Sequence, residues 1–342
     1  MSDSLALSKK RLIKGFYANL AGRPVIIVLE LAASVLVARY LGPEMLAVLV
    51  TVRAMAHIIL AITDLGLTNS LTKIVPDLSS QHGKNAAMGI VRDLTRYRIY
   101  LVPLALLVLL VLYEKGIWKS GIADTGMWVI TISMVIAVFS IVNSMRRYTL
   151  ISAIKTKELI FADAVIAISG PVFSVVVAAT TQDPVLVATA LIATQLLAYY
   201  LMHHRISYDL DTDGVEGVRL SAMEVFNYYR AYIAAYYLKY LFNKVYLRAP
   251  MAVIILGLLD VLPSTVSNVA IAISIVFQAW QRVNLPLAQL RAPILSRLHL
   301  QDDQAGMVKL QQVSISINAL LAGLLAVGFL TMAEPVLLLL YG

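Results

Sequence analysis

Short polar breaks cut this chain into apolar runs of about 20 residues or more, the length one helix needs to cross a hydrocarbon layer about 30 Å thick. That pattern narrows the fold more than any motif. Hydrocarbon offers no partner to a stray backbone N–H or C=O, so each run must satisfy itself as a helix. A barrel strand would alternate apolar and polar residues over about ten positions, which these runs do not do. With 60% hydrophobic and 14% charged residues and a mean hydropathy of +0.80, the chain reads as an all-α polytopic membrane protein. About nine spans are predicted, near 15–40, 45–71, 86–112, 125–150, 158–180, 184–204, 221–249, 262–288 and 306–331.

A net charge of +8 would suggest a nucleic-acid partner in a soluble chain, so the placement of the basic residues decides its meaning. Of the 28 Lys and Arg, 18 fall in alternate connections and the helix ends beside them. They begin with Lys9, Lys10, Arg11 and Lys14, continue through Lys73, Lys84, Arg92, Arg96 and Arg98, and end with Arg291, Arg297 and Lys309. The opposite side holds Arg39, Lys115 and Lys119. The positive-inside rule then places the N-terminus in the cytoplasm, and the first apolar run is expected to stay as a signal-anchor. The excess charge is topological, and no nucleic-acid partner is expected. The absence of cysteine excludes disulfides, thiol catalysis and cysteine-bound metals.

Pro76-Asp77-Leu78-Ser79 after the second span recurs as Pro293-Ile294-Leu295-Ser296 after the eighth, 217 residues later. Each is expected to close a helical hairpin on the same membrane side, as internal repeats do in transporters. The acidic stretch from Ser207 to Arg219 reads as the solvated linker between repeats. The expected organisation is therefore a six-helix lobe over 1–210, a cytoplasmic linker over 211–219, and a second lobe over 220–342. Only about three spans fit in that last part, so the second lobe is expected to be incomplete.

Ionisable groups inside the spans carry the functional information. In LGPEMLAVLVTVRAMAHIILAITDLGL, from Leu41 to Leu67, the side chains of Arg53, His57 and Asp64 fall within about 40° of one direction on a helix. Arg53 and Asp64 together would cost roughly 5–7 kcal/mol in lipid before pairing. Two readings follow: an internal neutralised network that locks helices together, or the wall of a wet polar cavity. Asn19, Arg23 and Glu30 share a face of the first span by the same arithmetic. In the seventh, Arg230, Tyr237, Lys244 and Arg248 lie on one side, with Tyr228, Tyr232, Lys239 and Tyr246 opposite. A helix polar on two sides is expected inside the protein, although Arg230 and Arg248 are near enough to the ends to snorkel. Arg282 adds a cation one turn from Gln278. Gly42-Pro43 reads as a turn between the first two helices, and Gly66 as a bend or packing position.

The order of signals across the first two spans resembles the polysaccharide repeat-unit flippases of the multidrug/oligosaccharidyl-lipid/polysaccharide exporter superfamily. Ala38-Arg39-Tyr40-Leu41-Gly42-Pro43-Glu44, Asp64-Leu65-Gly66-Leu67 and Pro76 carry the resemblance, echoed by Pro293 to Ser296 and by Leu340-Tyr341-Gly342. The chain departs from it at Met45-Leu46-Ala47, where many members have an aromatic and a glycine, and in lacking the final helices. The resemblance implies a two-lobed transmembrane bundle around a cavity open to either side in turn. It also implies an isoprenoid-pyrophosphate-linked oligosaccharide as substrate, a plasma-membrane location, and polysaccharide assembly proteins as partners beside membrane lipid.

Seven basic residues within spans, Arg23, Arg53, Arg230, Lys239, Lys244, Arg248 and Arg282, outweigh Glu30, Asp64 and Asp163. Such an interior suits a diphosphate or acidic sugars. These cations with Tyr237 are the candidate substrate contacts. Seven of the 17 tyrosines fall between Tyr228 and Tyr246, where they serve either sugar stacking or packing and interfacial anchoring. Glu30, His57 and Asp64 are the candidates for ion coupling. No phosphate loop, nucleophile elbow or HExxH is present, and neither an enzyme activity nor a cofactor is expected. His203-His204-Arg205 reads as an interfacial cluster. The rival readings are a drug or cation exporter, which should prefer an acidic cavity, and a ligase or polymerase acting on the same lipid.

Overall fold

A computed structural model describes residues 2–114, 126–152, 156–205, 221–242 and 304–341, with single positions between 255 and 273. Its elements are α1 (Ser2–Asp64), α2 (Leu67–Tyr100), α3 (Val102–Glu114), α4 (Gly126–Ser152), α5 (Thr156–Thr181), α6 (Pro184–Tyr200), α7 (Ala222–Tyr228), α8 (Arg230–Leu241) and α9 (Gln304–Tyr341). A π-helical turn, Leu201–Arg205, extends α6. There is no strand among the described residues. Six helical stretches are long and apolar enough to cross a membrane: Ala32–Asp64, Asn85–Glu114, Gly126–Ile151, Phe161–Thr181, Pro184–His204 and Gln304–Leu324. The all-α membrane architecture expected from the apolar runs is therefore present. The linker at 211–219 and the span at 262–288 lie largely or wholly outside the described residues.

Where helices break differs from the sequence expectation. The span read as 45–71 ends instead at Asp64, because Leu65 (φ 49°) and Gly66 (φ 80°) both adopt left-handed backbone. Pro76, read as closing a hairpin, lies inside α2, and the interruption comes later, at Gly83. Pro removes one ladder hydrogen bond, whereas a left-handed residue redirects the chain. Gly42 interrupts α1 in the same way, at the turn the Gly-Pro pair predicts. The span read as 221–249 is broken at Tyr229, whose φ of −96° and ψ of 11° lie outside helical geometry.

The chain divides into two compact units, Met1–Leu31 with Ala272–Gly342, and Ala32–Ile271. In the second unit α5 packs along α6, α4 against both α2 and α6, and α8 against α2. One apolar cluster joins Val37 to Ile59 of α1 with Val102, Ala105 and Leu109 of α3 and Val129 to Ile141 of α4. A second joins Leu67 to Leu94 of α2 with Met145 of α4 and Ala222, Val225, Tyr229 and Ile233 of α7 and α8. On each helix that passes from one cluster to the other, the change comes at a buried polar residue: Asp64, Arg98 and Asn143. A polar layer thus divides two apolar cores.

Candidate functional site

Below Met45 the second half of α1 is almost entirely enclosed by its neighbours. Leu46 to Leu49, Thr51, Val52, Ala54 to Ala56, Ile58 and Ile59 are buried, yet Arg53 is exposed and His57 and Leu60 are half-buried. These three share one direction on the helix with half-buried Val50, so the charged side of α1 forms an open strip, although Ile62 on the opposite side is half-buried as well. Arg53 lies about 15 Å along the axis from Pro43, and Asp64 about 32 Å. The strip therefore opens near mid-span and closes at Asp64, which is 0% exposed.

Asp64 is closed off by Arg98. The guanidinium places Nη1 3.1 Å from Asp64 Oδ1 and donates from Nε to the Thr63 carbonyl at 3.2 Å. Nη1 also donates to Thr68 Oγ1, which in turn donates to Asp64 Oδ1. This arrangement follows from local chemistry. A helix ends with carbonyls that lack donors, and a cation there satisfies both the carbonyl and the negative end of the helix dipole. Arg98 thus caps α1 while neutralising its last carboxylate. Asp64 Oδ2, buried like its partner atom, has no hydrogen-bond partner among the described residues.

The turn beyond Asp64 is fastened to α8. Gly66 is required there twice over: its left-handed backbone disfavours a side chain, and a Cβ would lie 2.1 Å from the Ile233 carbonyl oxygen and 2.6 Å from the Tyr237 nitrogen. Backbone meets backbone at this crossing. Further along α2, Tyr229 Oη donates to Asp77 Oδ2 at 3.1 Å, bonding the α7–α8 break to α2. Lys73 Nζ lies 5.0 Å from the Tyr232 ring centroid, and Lys239 Nζ 5.5 Å from that of Tyr236. Tyr237 is close enough to Asp64, and Tyr240 to Arg98, to act on that pair electrostatically.

On α4, the Asn143 amide donates to the carbonyl oxygen and to Oε1 of Gln195, each at 3.0 Å. Arg147 and Asp163 pair at 2.6 Å between α4 and α5, both partly exposed. His203 stacks on Tyr199 with ring centroids 4.4 Å apart, and His204 lies beside Tyr200. No group of three or more metal-binding side chains occurs among the described residues.

The expected site residues are distributed unevenly. Arg53, His57 and Asp64 form the strip and its sealed end. Tyr237 is half-buried at the Gly66 crossing, whereas Arg230 and Lys239 are exposed on α8. Lys244, Arg248 and Arg282 lie outside the described residues, as do the side chains of Arg23 and Glu30. Arg98 was the residue missed. It is counted in the sequence only among the cations of a cytoplasmic helix end, whereas the structure buries it, 1% exposed, against Asp64. The signal was present, since Arg98 continues the apolar face of Ala87, Ile90, Val91 and Leu94 at helical spacing, where a solvated arginine does not belong.

No family model, curated protein or solved structure matches this chain.

Proposed function

We propose that this protein is a transporter that moves isoprenoid-pyrophosphate-linked oligosaccharide across the plasma membrane by alternating access, with its N-terminus in the cytoplasm. One observation carries the reading: Arg53 is exposed near the middle of an apolar span most of whose neighbouring residues are buried. A charge at the bilayer centre costs about 2.5–3.5 kcal/mol or more against lipid, so an exposed mid-span arginine calls for a water-filled interior. An anionic pyrophosphate is the complementary guest. Arg23, Lys244, Arg248 and Arg282 extend the reading to residues outside the described set, whereas Arg230 stands beside the Tyr229–Asp77 bond, away from mid-span. The sequence resemblance supplies the substrate class, and membrane lipid and polysaccharide assembly proteins are the partners it implies.

A cationic-drug exporter needs an available carboxylate. Asp64, the one fully buried acid among the described residues, is already neutralised by Arg98, which weighs against that alternative. The decisive assay is reconstitution in proteoliposomes with a fluorescent isoprenoid-pyrophosphate oligosaccharide in one leaflet. Protein-dependent, Arg53-dependent exchange between leaflets is expected. A rate equal to that of protein-free vesicles, from protein shown to be folded, would sink the proposal.

A further inference from the structure

Lys73 and Lys239 come from different helices and end on one aromatic pair. Tyr232 and Tyr236 hold their ring centroids 4.7 Å apart, with hydroxyls hydrogen-bonded at 3.3 Å. One lysine sits against each ring, and both lysines are exposed. A ring face attracts an ammonium through its quadrupole without removing its charge. The pair of rings therefore gathers positive charge at one place on the α2–α8 surface.

The neighbouring strip of α8 is alkyl. Ala231, Ala235, Leu238 and Phe242 project within about 60° of one direction, next to Tyr232 and Lys239. All four are exposed, Leu238 at 67% and Phe242 at 54%. Depth gives the patch its meaning. The Gly66 crossing holds α8 level with the α1–α2 turn, which lies about one hydrocarbon thickness from Pro43. Lys73 is about 10 Å further along α2. Both ammonium groups thus reach headgroup level, on the side where the sequence concentrates its basic residues, and there Lys and Tyr meet lipid phosphates.

We propose that Lys73, Lys239, Tyr232 and Tyr236 form a site for the phosphate headgroup of an anionic bilayer phospholipid, whose acyl chain lies along Ala235, Leu238 and Phe242. The patch lies at headgroup level on a helix flank, apart from the mid-span strip that opens at Arg53, so it suits a resident lipid more than a transported glycan. This gives Lys239 to the bilayer and removes it from the transported substrate's contacts. The assignment does not rest on the transport reading, since a lipid would be held whether or not the chain transports anything.

The test is native mass spectrometry of the full chain released from nanodiscs of phosphatidylcholine containing phosphatidylglycerol, with a second set also containing isoprenyl pyrophosphate. Phosphatidylglycerol is expected to be enriched over phosphatidylcholine. The enrichment should fall about fivefold for each of Lys73→Ala and Lys239→Ala, and survive Lys73→Arg/Lys239→Arg. Arg96→Ala, an exposed cation elsewhere on α2, should leave it unchanged. Undiminished enrichment in a double alanine variant with normal helical circular dichroism would overturn the proposal. Preferential retention of isoprenyl pyrophosphate at these lysines would also overturn it, by returning the patch to the transported substrate.

Discussion

Arg98 Nη1 lies 3.1 Å from Asp64 Oδ1, and neither side chain reaches solvent. The pair stands where two apolar clusters meet, and it closes the lower end of the charged strip on the second half of α1. Removing one partner strands the other in a dry interior.

Arg98→Leu is therefore expected to destabilise the protein by about 3–5 kcal/mol, the cost of an uncompensated buried charge. Asp64→Leu/Arg98→Leu should lose less than Arg98→Leu alone, because two apolar side chains of similar size leave no charge to solvate. Thermal unfolding in detergent reads both. A double variant worse than the single would mean that the pair holds the fold through geometry more than through charge balance.

Gly66→Ala should be more damaging than Gly42→Ala, although both glycines have positive φ. A backbone term of about 1–3 kcal/mol applies at both and is the larger at Gly42, whose ψ of 169° falls in a region essentially restricted to glycine. Only at Gly66 does the added methyl meet backbone atoms, while at Gly42 nothing lies within 4 Å. Comparing the unfolding midpoints of the two variants sets the α8 contact against that backbone term, and a loss at Gly66 no larger than at Gly42 would show that α8 gives way freely.

Tyr229→Phe removes the hydroxyl that bonds Asp77 and should cost about 1 kcal/mol, near the net value of one hydrogen bond. Hydrogen exchange around 221–242 is expected to rise more than exchange in α4 and α6, since this bond ties the α7–α8 break to α2. An unchanged pattern would place the anchoring in Val225 and Ile233 packing alone.

Arg53→Ala is expected to abolish flipping with no more than about 1 kcal/mol lost in stability, as for an exposed charge whose interactions are screened by solvent. Arg53→Lys should retain partial activity, keeping the charge and losing the bidentate fork. Loss of folding in step with loss of transport would instead assign Arg53 to structure.

The sequence was sufficient for some of this. The 3.6-residue period places Arg53, His57 and Asp64 on one face before any neighbour is known, and apolar run length alone dictates membrane helices. Both are properties of a single segment. Gly-Pro at 42–43 was legible as a turn for the same reason, since backbone freedom belongs to the residue itself, whereas Gly66 was legible only as a bend or packing position within a span read through to 71. Other features required a second segment. Lys73, Asp77 and Thr68 looked like ordinary polar positions near a helix end, and acquired roles only when α8 and Arg98 came against them.

Whether a charged stripe faces a cavity or locks helices together was undecided at the level of one helix, and tertiary packing treats its two ends differently. Arg53 is left exposed, while Asp64 is sealed because α2 returns Arg98 to the end of α1. Chain periodicity sets which residues share a face. Only the arrival of distant helices sets what that face meets, because burial and charge pairing are properties of at least two elements and the sequence specifies them one at a time.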